Sequence, residues 1–169
     1  MDKDLIKDQP TFVIRGLIVA RSINIEHLVS LILAHYYGNK EHFSSFIEEF
    51  LLHENCTLGL KLNVFLKLEL HKNRNDIKDP KKFEQDLREL FKIRNTVAHS
   101  IDLPSVSKVS IFHSKICKPI EIDKLYERFF SIYHEVFPKL DNIFGELADF
   151  SRSKFRFQET MKNNNDKTL

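Results

Sequence analysis

In Leu90-Phe91-Lys92-Ile93-Arg94-Asn95-Thr96-Val97-Ala98-His99, an arginine stands where helical periodicity asks for an apolar residue. Laid on a helix, Phe83, Leu87, Leu90, Phe91, Val97 and Ala98 form one stripe, with Arg94 in its middle. A guanidinium is permanently charged and costly to bury alone. Position 94 therefore calls for an acid, a backbone carbonyl, a bound anion or a subunit boundary. Five residues on, His99 supplies a side chain that titrates near neutrality. An imidazole that moves protons beside a guanidinium that holds two oxygens in parallel suits phosphate chemistry. Asn95 could orient either the phosphate or the imidazole.

The elements that must position these residues are mostly helical. A long first helix is predicted from Thr11 to Tyr37, with Ile14, Leu17, Ile18, Ile25, Leu28, Val29 and Ile32 on one face. A second is predicted from Asn39 to Asn55, carrying Phe43, Phe46, Ile47, Phe50 and Leu51. From Thr57 to His71 the leucines alternate as in a strand, but the run is long for one and leucine is a good helix former, so a helix is expected. Asn73 to Lys78 reads as a polar linker. Asp79-Pro80 then gives an N-cap and a first-turn proline for the helix that bears the motif, Pro80 to His99. Val106 to Phe112 and Ile116 to Ile122 read as a short β-hairpin. Asp123 is expected to cap a last helix, kinked at Pro138 and continuing to Phe150. The predicted architecture is thus all-α: one domain over residues 1–150, a bundle of about five helices with a hairpin before the last, and a polar, disordered tail over residues 151–169.

Composition sets the outer bounds. A chain of 169 residues, 42% hydrophobic and 30% charged, describes a globular domain able to bury a real core. Four Gly and five Pro favour long uninterrupted elements. The net charge of +2 is too weak to mark a nucleic-acid binder globally, so an anion site has to be built locally. Cys56 and Cys117 are too few for a disulfide framework or zinc motif, and the remaining histidines lack ligand spacing, so no metal or cofactor is expected. The charged start Met1-Asp2-Lys3-Asp4 and the lack of an uncharged apolar run of about 18 residues point to a cytoplasmic protein without a membrane partner.

Arg94-Asn95-Thr96-Val97-Ala98-His99 near the end of the fourth helix resembles the HEPN superfamily, whose hallmark is an arginine, a short spacer often begun by a polar residue, and a histidine. Leu87, Leu90, Ile93 and Ala98 around it, and Ile25-Glu26-His27-Leu28 leading to Tyr36-Tyr37 in the first helix, are similar to that family too. The resemblance spans about Thr11 to Phe150 and implies a HEPN-like helical bundle. It further implies metal-independent endoribonuclease activity on single-stranded RNA, the 2′-hydroxyl attacking the neighbouring phosphodiester to leave a 2′,3′-cyclic phosphate. Arg94 and His99 would be the catalytic pair and Asn95 a substrate-binding residue. Positions 94 and 99 lie about 140° apart on an ideal helix; the family answers this by pairing two copies of the motif in a homodimer. A toxin or defence role, with an antitoxin or nucleotidyltransferase partner, is one implication. The tyrosine that several toxin members carry two residues after the histidine is Ile101 here. A stand-alone protein of this kind also resembles the mannitol-operon repressor group, which implies a non-catalytic regulator or an RNA- or nucleotide-binding module.

Plainer roles compete for the same residues. Arg94 could cover apolar surface and pair with Glu26, and His99 could simply end its helix. Lys78, Lys81, Lys82, Arg88 and Lys92 could guide RNA, but interleaved Asp79, Glu84, Asp86 and Glu89 make a solvated mixed-charge face the better reading.

Overall fold

The computed structural model describes residues 11–37, 46–51, 53, 56–102, 110–112 and 119–165; of these, residues 49, 50, 101, 102, 110–112, 119 and 151–165 are described by backbone alone. Among the described residues the chain is mostly helical, with five helical segments: α1 (Thr11–Tyr37), a short π-helix (Phe46–Leu51), α2 (Leu58–Lys67), α3 (Pro80–Ala98) and α4 (Ile122–Asn165). Three strands, β1 (Ile101–Asp102), β2 (Ser110–Phe112) and β3 (Pro119–Glu121), pair antiparallel in that order, with Ile101 opposite Phe112 and Ile111 opposite Ile120. The segments joining them lie outside the described residues. The chain divides into two compact units, Met1–Ile25 with Arg74–Pro138, and Glu26–Asn73 with Lys139–Leu169.

In the first unit, the start of α1 buries Ile14, Ile18 and Ile25. Asp79 caps α3 as its sequence predicts: its Oδ1 accepts from the Lys82 amide at 3.0 Å, and Pro80 fills the first turn, where a missing N–H costs nothing. One face of α3 then buries Phe83, Leu87, Leu90, Phe91, Ile93 and Val97. The first part of α4 answers with Tyr126, Phe129, Phe130, Ile132 and Tyr133. Its rings form a ladder, Phe129 stacked on Tyr133 at 6.1 Å and Tyr133 on Phe137 at 5.1 Å. Charged pairs rim this packing. Arg128 grips Glu89 through two bonds of 2.8 and 2.7 Å, and Lys82 reaches Asp86 at 2.6 Å and Glu135 at 3.2 Å.

The start of α4 departs from expectation. The helix begins at Ile122, which is fully buried, so Asp123 stands inside the first turn rather than before it. Its Oδ1 is buried without a hydrogen-bond partner, and no cap forms. Pro138 lies inside the helix, which continues beyond it to Asn165.

In the second unit, the latter part of α1 buries Leu28, Val29, Ile32, Leu33 and Ala34, and the distal part of α4 buries Leu140, Ile143 and Ala148. His35 meets Phe144 edge-on at 5.4 Å. Of the expected Asn39–Asn55 helix, the described helical part, Phe46–Leu51, is π-helical instead of α-helical. An i to i+5 ladder brings Phe46 and Leu51 into line; Phe46 lies 6.5 Å from the Tyr37 ring and Leu51 is fully buried. Thr57 caps α2, its hydroxyl accepting from the Leu60 amide at 3.3 Å. The helix stops at Lys67, four residues short of the expected His71, because Glu69 adopts a left-handed backbone angle, φ 56°; Asn73, in the turn that follows, has φ 61°.

Candidate functional site

Arg94 does not sit buried in the middle of its stripe. It is half-buried, and Ala98 one turn later is exposed, while Ile93 and Val97 on the other flank are buried. The buried seam of α3 thus swings from the Phe83-Leu87-Phe91 side to the Leu90-Ile93-Val97 side in the last turns and leaves Arg94 at its edge. There the aliphatic stem can cover apolar surface while the guanidinium reaches water. Arg94 Nη1 donates to Oδ1 of the exposed Asn95 at 2.9 Å. Among the described residues no carboxylate pairs with Arg94. Glu26, the acid considered for that role, takes Lys61 instead at 2.8 Å.

His99 forms the C-cap of α3, with φ −104° and ψ 12°. Its amide donates to the Asn95 carbonyl at 3.1 Å, which closes the last turn, and its ring is exposed. Ser100 is buried, its hydroxyl donating back to the Thr96 carbonyl and its amide to the Val97 carbonyl at 3.4 Å. From α1, Arg15 Nη2 donates to the Ser100 carbonyl at 2.9 Å. This bond supplies a positive partner where a helix end carries excess negative charge.

The C-terminal end of α3 therefore gathers Arg94, Asn95 and His99 from one short stretch, and Arg15 from a distant one. Sequence reasoning missed Arg15. The signal was available: Arg15 is the one charged residue between Phe12 and Ala20, misplaced in an apolar helix just as Arg94 is. Arg94 offers donors to an anion and His99 a proton donor or acceptor, but the two stand about 140° apart around one helix, and Arg15 is engaged at the Ser100 carbonyl.

Other candidates offer less chemistry. Lys82 is held by Asp86 and Glu135, whose hydrogen bonds raise its pKa, and Arg128 is held by Glu89, so this part of the α3 surface is a mixed-charge face. Among the described residues no group of three or more His, Cys, Asp or Glu converges to hold a metal. A cavity of about 260 Å³ in the second unit, lined by Leu33, Tyr37, Phe46, Leu51, Cys56 and Val64 among others, exposes apolar surface alone. Lys61 borders it, but its ammonium is paired with Glu26.

α1 is long and apolar enough to cross a membrane, with a window of mean hydropathy 1.6; half of that window is buried inside the fold. Its apolar character comes from two sides, an inner face in the core and an outer face that includes exposed Phe12 and Ile23. No family model matches the chain, and neither a curated protein nor a solved structure does.

Proposed function

We propose that the protein is a metal-independent endoribonuclease of the HEPN type, a helical bundle that cleaves single-stranded RNA in the cytoplasm to a 2′,3′-cyclic phosphate. The observation that carries this reading is an exposed imidazole at His99, five residues past an Arg94 whose partner is a neutral amide. Among the described residues no carboxylate offsets the Arg94 guanidinium, which supports its use for an arriving phosphodiester, and Asn95 can turn its amide to the same ligand. In the reaction His99 takes the proton of the 2′-hydroxyl as its oxygen attacks phosphorus. The bond to the 5′-oxygen breaks, and that oxygen leaves with a proton from His99 of a second copy. Arg94 stabilises the charge that builds on the non-bridging oxygens. A homodimer completes the site, and an antitoxin or nucleotidyltransferase would be its control partner.

A non-catalytic regulator or RNA- or nucleotide-binding module is the second reading. It is favoured by the Arg94 to Asn95 bond, which an incoming phosphate has to displace. Purified wild-type, His99→Ala and Arg94→Ala proteins incubated with single-stranded RNA in a metal chelator separate the two. Cyclic-phosphate ends from wild type, reduced by a factor on the order of 10² to 10⁴ in His99→Ala, support the enzyme. Binding lost in Arg94→Ala without any cleavage supports the second reading, and equal cleavage by all three proteins overturns both.

A further inference from the structure

Around α3 the charges separate by side. At about 100° per residue, Lys81, Gln85, Arg88, Lys92, Asn95 and His99 fall within an arc of about 80° that holds no other residue of the helix. All six are exposed. In sequence the acids of this segment interleave with the cations; in space they do not. Glu84 and Glu89 flank the two edges of the arc, with Glu89 held by Arg128, and Asp86 is buried toward the far side, where it takes Lys82. Asp79 precedes the helix and is used as its cap. Three cations, two amides and an imidazole are left in one line, about 27 Å long from Lys81 to His99 at a rise of about 1.5 Å per residue.

Lys81 makes the second, independent observation. The first turn of a helix carries partial positive charge and favours acids. That of α3 holds no acid and two lysines. Lys82 is offset by Asp86 and Glu135. Among the described residues no carboxylate answers Lys81. Helix stability gives no reason for a cation at this position, whereas an anion arriving from outside does, since it meets the lysine and the positive end of the macrodipole together.

We infer that this line is a track for the sugar-phosphate backbone of a single strand, laid lengthwise on α3 and ending at His99. Its width of one side chain fits an extended strand. A bilayer would also press on the flanking glutamates, and the line has no apolar side chain to insert into one. The cations take phosphates, while Gln85 and Asn95 between them offer donors and acceptors to sugar or base edges. Phosphate contacts of this sort position a strand without selecting its sequence. The inference rests on the ribonuclease reading only for what happens at His99; binding along α3 stands or falls by itself.

The probes are a short oligouridylate and its 2′-deoxy counterpart, which lacks the attacking hydroxyl and so reports binding without cleavage. The affinity of the full chain for the deoxy strand should fall with salt at a log-log slope of about −2, as three contacts at about 0.7 each require. Lys81→Gln, Arg88→Gln and Lys92→Gln together, glutamine being a good helix former, should bring that slope toward zero and raise the dissociation constant at least about tenfold in low salt. Lys67→Gln, Lys72→Gln and Lys124→Gln together remove the same charge away from α3 and should bind nearly as wild type does. Circular dichroism checks that both triple variants are folded. On the ribo-strand the α3 variant should show a raised KM, while a dinucleotide too short to lie along the track is cleaved at the wild-type rate. Binding that depends equally on the two sets of cations overturns the inference, since net charge alone then explains it. So does attachment to phosphatidylserine vesicles in place of either strand. A strand bound through α3 but cleaved by none of the proteins sustains the track and removes the ribonuclease reading; cleavage and binding indifferent to the α3 variant remove the track and leave that reading.

Discussion

Arg15 and Ser100 stand 85 positions apart in sequence, yet the guanidinium of one caps the carbonyl of the other at 2.9 Å. That bond ties α1 to the turn that carries His99. Arg15→Ala should lower stability by about 1.5 to 3 kcal/mol, the usual worth of a hydrogen bond from a charged donor. Urea denaturation measures the loss, and faster amide exchange at His99 and Ser100 should accompany it. Unchanged exchange at those two amides would show that the bond does not hold the turn.

Lys61 and Glu26 form a partly buried ion pair, with Lys61 only 4% exposed. Removing one partner strands the other's charge, so Lys61→Ala should cost about 2 to 3 kcal/mol, below the full penalty because Glu26 keeps some water. The double variant Lys61→Met with Glu26→Leu should recover most of that loss. Denaturation of the single and double variants gives the coupling directly.

Glu89 is held below the usual carboxylate range by its hydrogen bonds from Arg128, despite some opposing burial. A lowered folded pKa means that this pair contributes stability above the ordinary range and loses it as pH falls through the lowered value. Both side chains are more than a third exposed, so the contribution is about 0.5 kcal/mol or less. Glu89→Gln should therefore be slightly less stable than wild type at about pH 7 and equal to it at about pH 2.

Asp123 has the opposite sign. Burial raises its pKa, and the neighbouring charges of Glu127 and Glu121 add to the effect. The folded state then holds the proton more tightly than the unfolded chain, and stability falls as pH rises from the ordinary carboxylate range through the raised value. Asp123→Asn should be the more stable protein at neutral pH, and its advantage should vanish in acid. A pH series of thermal melts reads the crossover.

The bounds of α1 and the cap and proline of α3 were legible in the sequence because they rest on local rules: a regular apolar period, and a cap residue followed by Pro80. The placement of Arg94 was only half legible. Ideal periodicity puts it at the centre of the stripe, but the seam of α3 drifts as its packing partners change, and no single helix encodes that drift. The same limit hid Arg15, whose partner is a backbone carbonyl, invisible to any pattern of side chains. Alternation in Thr57–His71 was rightly set aside in favour of a helix, yet its early stop depends on a left-handed angle at Glu69, and the turn that follows on one at Asn73, residue types that do not demand them. Ile122 overrode Asp123 at the start of α4, since burying an isoleucine outweighs one capping bond.

Those left-handed angles hold a reserve. A non-glycine residue in that region bears a steric burden of about 1 kcal/mol, heavier for Glu69 than for Asn73, whose short amide tolerates it. Heat tolerance is thus obtainable by one glycine at position 69, in a turn of the second unit that carries none of the residues proposed to meet RNA, and evolution or an engineer can draw on it without touching the motif.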